Sequence, residues 1–274
     1  MKINNIITLS VLCIMVIAAV LYGFFSQKEQ TYDAPEESFE QSSSAASDDN
    51  SSVESIHDDS ESTAASSADT SSDVESTPEI EAASLSDALF IGDSRTVGIM
   101  EYAGLDDADF FCSTGMNVFG VFKERVSVPT VGKLYLNELL QNKKYGKVYI
   151  MLGINELGYN INSILSKYGE LIDTVQSTQP NVKIFIQANL HVTKSRSDSD
   201  KYINNTAMNK LNSELQKLAN NSDIYYIDAN VLFDDANGNL SSDKTHDNVH
   251  LYAKYYAQWG EWICKETAKC IKKR

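Results

Sequence analysis

The amino-acid sequence predicts a three-layer α/β/α fold of the flavodoxin-like kind over residues 84–274, with a five-stranded parallel sheet. Three observations lead there. From Ser84 onward, short apolar runs alternate with longer amphipathic stretches. Such alternation implies parallel strands joined by right-handed crossovers, with helices covering both faces. The segment also holds 191 residues, enough to bury one sizeable core. Finally, it is nearly neutral, although the chain of 274 residues has 23 basic and 38 acidic side chains and a net charge of −15. The acidity lies upstream: residues 31–83 contain fifteen Asp or Glu and no Lys or Arg.

Taken in order, residues 6–25 form an apolar run interrupted only by Thr8, Ser10 and Gly23. As a helix this run is about 30 Å long, enough to cross a bilayer core. Lys2 and the amino terminus precede it, while Lys28 and Glu29 cancel after it. That asymmetry favours a cytoplasmic N-terminus and an extracellular remainder. The run exceeds an ordinary signal-peptide core, and no A-x-A site follows it, so residues 1–26 read as an uncleaved membrane anchor. Residues 27–83 are rich in Ser, Asp, Glu, Ala and Thr and poor in large apolar side chains, the composition of a disordered, self-repelling linker. No basic surface suited to nucleic acid remains. Four cysteines exclude a disulfide-rich scaffold.

Within 84–274, strands are expected at 88–91, 109–112, 148–152, 182–186 and 224–227. Helical spacing marks 131–141, 161–178, 202–219 and 252–269. Ligands of such sheets bind beyond the carboxyl ends of the strands, so the residues just after each strand carry the interest.

Gly92-Asp93-Ser94-Arg95 follows the first strand and opens a helix. Ser94 there suits either a nucleophile, favoured by the positive helix end, or an N-cap. Gly115 follows the second strand, where it either presents its backbone N–H or turns the chain. Asn155 follows the third, in Gly153-Ile154-Asn155-Glu156, and either donates from its amide or caps a turn. Asp247 stands three residues before His250 at the entrance of the last helix, where a carboxylate can orient an imidazole. Each signal is weak alone, but all four converge on one sheet edge.

Together they resemble the SGNH hydrolases, the GDSL-type esterases and acylhydrolases. The resemblance runs through Gly92-Asp93-Ser94, Gly115, Gly153-Ile154-Asn155 and Asp247-Asn248-Val249-His250-Leu251, in order over 84–274. Arg95 replaces the leucine of the family's nickname, and Glu156 stands where Asp often follows the Asn of the Gly153-Ile154-Asn155 motif; both are candidates to alter substrate choice. The resemblance implies a serine esterase with a Ser94–His250–Asp247 triad. Its oxyanion donors would be the Ser94 and Gly115 backbone N–H groups and the Asn155 amide, and it would need no metal or organic cofactor. Location and family habit point to acyl groups, acetyl foremost, on cell-wall or other extracellular glycans, or to another small ester. An O-acyltransferase, a lipid-directed acylhydrolase and a non-catalytic glycan-binding module are the rivals.

Other residues compete. Asp243 and His246 repeat the Asp-x-x-His spacing, but Val249 and Leu251 flank His250 as in the family. His191 heads a polar stretch, 193–201, that reads as a substrate loop. Tyr252, Tyr255, Tyr256, Trp259 and Trp262 suit sugar stacking, or, at helical spacing, the core.

Overall fold

A computed structural model describes residues 81–272. The expected anchor, 1–26, and all of the expected linker before residue 81 lie outside the described residues. Among the described residues, no helix is long and apolar enough to cross a membrane.

Strands β1 (Ala88–Gly92), β2 (Asp109–Cys112), β5 (Lys147–Met151), β6 (Lys183–Gln187) and β7 (Ile224–Ile227) pair in parallel in the order β2-β1-β5-β6-β7. Each stands within a residue of its expected place. The strand order reverses beside β1, so the crevice at the carboxyl ends of β1 and β5 is where a ligand of such a sheet is bound. One face carries Leu89, Ile91, Phe111, Val148, Ile150, Ile184 and Ile186. It is covered by α2 (Leu136–Asn142), α3 (Ile161–Thr178) and α5 (Asn205–Gln216).

The other face carries one aromatic ring per strand. Phe110, Phe90, Tyr149, Phe185 and Tyr225 are cross-strand neighbours, and their rings stack in succession at 4.9, 4.4, 4.8 and 5.2 Å between centroids. Offset stacking in register pins the sheet as well as burying apolar area. Helices α1 (Ser94–Tyr102), α6 (Asn230–Phe233) and α7 (Ala253–Lys272) close this side, with Ile99, Phe233, Tyr256, Trp259 and Ile263 buried against the rings. Tyr256 and Trp259 are therefore core residues, while Tyr252 stays exposed.

The expected helix over 131–141 is two elements. Arg125-Val-Ser-Val128 (β3) pairs antiparallel with Gly132–Tyr135 (β4), and α2 begins only at Leu136. Leu134 lies with Val126 and Val128 on the buried side of this hairpin, whereas Val131 sits exposed at its turn. The 3- and 4-residue spacing across 131–141 combined a strand's inward residue with those of the following helix. Likewise, 193–201 is no open loop: Thr193 Oγ1 accepts the Arg196 N–H and caps α4 (Lys194–Ser199).

Candidate active site

At the end of β1 the Asp93 carboxylate accepts the Arg95 N–H and caps α1. The N-cap role open to Ser94 thus belongs to its neighbour. Ser94 becomes the first helical residue, with its hydroxyl free for other work. Gly92 is needed here because a Cβ would meet Thr96 Oγ1 and the Met151 carbonyl at 1.9 and 2.8 Å.

Ser94 Oγ lies 2.8 Å from His250 Nε2, and His250 Nδ1 lies 2.6 Å from Asp247 Oδ2. A carboxylate only accepts, so Nδ1 carries the proton and Nε2 presents its lone pair to the serine O–H. The other carboxylate oxygen, Asp247 Oδ1, accepts the His250 N–H at 2.7 Å and the Val249 N–H at 3.0 Å. Partial burial opposes ionisation of Asp247, but these donors, with the His250 ring, outweigh it and hold the carboxyl well below its ordinary range. The loop itself is pinned from outside. The Thr193 N–H donates to the Asn248 carbonyl at 3.0 Å, and the two side chains meet at 2.9 Å. Thr193 was not singled out in the sequence; its position after the fourth sheet strand was the available signal.

Gly115 lies in an exposed turn closed by the Met116 N–H on the Ser113 carbonyl. Asn155 occupies a single 3-10 turn, Ile154–Glu156, and its Nδ2 donates to the Met116 carbonyl at 2.9 Å. One amide hydrogen is thereby fixed on the backbone next to Gly115, and the second remains for a ligand.

The rival pairs are separate. Asp243 accepts from Ser241 Oγ, and the exposed His246 ring lies 5.8 Å from that of Tyr252. His191 has both ring nitrogens occupied, by Asp234 at 2.8 Å and Asn209 at 2.8 Å. Among the described residues no group of His, Cys, Asp and Glu has a metal-binding arrangement.

Arg95 and Glu156, the candidates to alter substrate choice, are both buried. Arg95 Nη1 donates to the Leu190 carbonyl at 2.8 Å. Glu156 accepts the Val118 N–H and so ties the Ile154–Glu156 turn to the loop carrying Gly115. Burial pushes the Glu156 carboxyl up to about 7 against that hydrogen bond. The unfolded chain releases this proton near the usual 4.5, so between 4.5 and 7 the folded state binds more protons. Stability therefore declines as pH rises through that window. Glu156→Gln keeps an acceptor for Val118 and removes the ionisation. The expected result is a melting temperature that gains on wild type from pH 5 to about pH 7 and then levels off toward pH 8. Parallel curves would show that Glu156 does not titrate there.

Residues 90–258 match the GDSL-like lipase/acylhydrolase family. Among solved structures, the chain is similar to a proposed acylhydrolase from Bacteroides fragilis, with 13% identity, a TM-score of 0.51, and coverage of 70% of this chain and 91% of the other. A GDSL-like lipase from Bacteroides thetaiotaomicron aligns at 14% identity and TM-score 0.50, covering 66% and 87%. A proposed platelet activating factor from Streptococcus pneumonia aligns at 17% and 0.50, covering 70% and 84%. At such identities the likeness concerns the fold. No curated protein matches the sequence.

Proposed function

The chain belongs to the GDSL-like lipase/acylhydrolase family and is a carboxylic ester hydrolase; from that premise we propose a membrane-anchored serine esterase that removes acetyl or other small acyl groups from extracellular glycans, cell-wall polymers included. The observation that carries the reading is the unbroken chain from Ser94 Oγ through His250 to Asp247.

In this reading His250 Nε2 takes the Ser94 proton as Oγ attacks the ester carbonyl. The backbone N–H groups of Ser94 and Gly115 and the Asn155 amide receive the oxyanion. Collapse expels the alcohol, which leaves with the proton held by His250, and an acyl-serine remains. Water, deprotonated by the same nitrogen, then releases the carboxylic acid. Asp247, held as a carboxylate, keeps the imidazole in its working tautomer and offsets its transient positive charge. The apolar segment 6–25 and the acidic residues 31–83 support an anchored domain, 84–274, held outside the cell on a solvated linker.

Hydrolysis of p-nitrophenyl acetate, butyrate and octanoate, with fluorophosphonate labelling, tests this reading. The whole chain and residues 84–274 alone are expected to hydrolyse the acetate fastest, at equal rates. The truncation gives up the Ala83 N–H bond to the Cys264 carbonyl, worth about 1 kcal/mol. Both forms should label, and Ser94→Ala should not. Preference for octanoate would move the substrate to lipids. An unlabelled wild type would favour a glycan-binding module. Activity lost on truncation would place part of the linker in the folded unit.

A further inference from the structure

Several large apolar side chains are exposed on the described surface, and two of them, Tyr159 (67%) and Tyr202 (50%), line one cleft of about 290 Å³ with Leu157 and Gly158. Tyr159 comes four residues after Asn155, and Tyr202 follows α4, so both stand on segments that leave the carboxyl ends of β5 and β6. The cleft is joined to the oxyanion loops. Phe119 lies three residues beyond Met116, whose carbonyl holds Asn155, and its ring meets that of Tyr159 at 5.4 Å. The Glu156–Val118 bond ties the same two loops together.

The segments that carry the rings are held in place. The Tyr159 N–H donates to the Glu156 carbonyl at 3.0 Å. Asp200 accepts the Tyr202 and Ile203 N–H groups at 2.8 and 2.9 Å and is itself paired with Arg196 at 2.7 Å. Tyr202 also lies so close to Gly158 that a Cβ there would approach Cδ1 at 2.6 Å. Exposed aromatic surface beside a site is costly unless something covers it, and rigid rings cover a ligand at little entropic expense. The surroundings are polar: Lys201 Nζ lies 5.0 Å from the Tyr202 ring centre, and exposed Asn160 adjoins Tyr159.

We propose that the Tyr159–Tyr202 cleft is a carbohydrate subsite of the esterase, seating a sugar ring of the glycan that bears the scissile ester. A pyranose offers an apolar C–H face bordered by hydroxyls, which matches tyrosine rings with an ammonium over one of them and an amide beside the other. An acyl tail would call for a lining without phenol hydroxyls or charge. For its substrate, the assignment rests on the esterase reading above.

The test measures acetate release by the whole chain in detergent micelles. The substrates are O-acetylated chitotetraose and xylotetraose, each against the O-acetylated methyl glycoside of its own sugar. Calorimetry follows binding of the unmodified tetrasaccharides. Wild type should favour the tetrasaccharide of at least one backbone through a lower KM. Tyr159→Ala and Tyr202→Ala should each shrink that preference about three- to tenfold. Tyr159→Phe and Tyr202→Trp should keep it. No preference and no binding with either backbone, or a preference that survives both alanine variants, overturns the subsite. So does an effect confined to the octanoate-to-acetate ratio of p-nitrophenyl esters, which would assign the cleft to an acyl chain. Should wild type hydrolyse no ester at all, the esterase reading falls. Calorimetry then decides the subsite separately, by whether the alanine variants lose tetrasaccharide binding.

Discussion

His250→Ala is expected to lower kcat by about 10⁴- to 10⁶-fold, as loss of the base from a Ser-His-Asp unit does. That corresponds to roughly 5–8 kcal/mol of barrier. The size follows from the geometry: Nε2 is the nitrogen hydrogen-bonded to Ser94 Oγ, at 2.8 Å, and without it the hydroxyl must give up its proton to water. Ser94→Ala should cost about as much, and the double variant no more than either single, because the residues act as one device. Asp247 separates orientation from folding. Asp247→Asn keeps an oxygen for the Val249 and His250 N–H groups, so the melting temperature should move little. Its amide nitrogen would face Nδ1, however, and a donor there forces the proton onto Nε2, the wrong tautomer for accepting from serine. A loss of about 10⁴-fold is expected. His246→Ala should leave most activity, since Asp243 is engaged by Ser241 and His246 lies against Tyr252. Steady-state kinetics and thermal melts of these variants decide the matter. Loss with His246→Ala but not His250→Ala would move the base to the other Asp-x-x-His pair.

The five sheet strands were legible because each is a short apolar run whose alternate residues enter opposite cores, as Ile91 and Phe90 do. Local pattern failed where two elements abut. Val131 and Leu134 stand three residues apart, as do Leu136 and Leu139, yet β4 holds Leu134 while α2 holds the leucines from 136 onward. The site was legible as a set of positions and not as a set of contacts. Ser94 as nucleophile or cap could not be separated from sequence, since the deciding facts are the cap made by Asp93 and a partner 156 residues away. The burial of Arg95 and Glu156 was illegible for the same reason. Their partners inside are a backbone carbonyl at Leu190 and a backbone N–H at Val118, neither of which any local pattern announces. The Thr193–Asn248 link is tertiary in the same sense.

Asn155 carries the sharpest remaining claim. Its side-chain nitrogen holds the Met116 carbonyl at 2.9 Å with one hydrogen, which fixes the amide beside Gly115 and leaves a second hydrogen to donate. If that hydrogen meets the oxyanion, the bond strengthens as negative charge develops, so its loss should fall on kcat with little change in KM. Asn155→Ala is expected to lower kcat about 10²- to 10³-fold, or roughly 3–4 kcal/mol. The same variant removes the Met116 contact, which should cost about 1 kcal/mol of stability. Asn155→Asp should be at least as damaging, because a carboxylate would face both the Met116 carbonyl and the forming oxyanion and repel each. A purely structural asparagine behaves otherwise: melting temperature falls while kcat stays near wild type in the alanine variant. Kinetics and melts of both variants separate the cases, and a normal kcat with a lowered melting point removes Asn155 from the reacting centre. In that event the oxyanion would rest on backbone N–H groups alone, Ser94 at the start of α1 and Gly115 in its exposed turn.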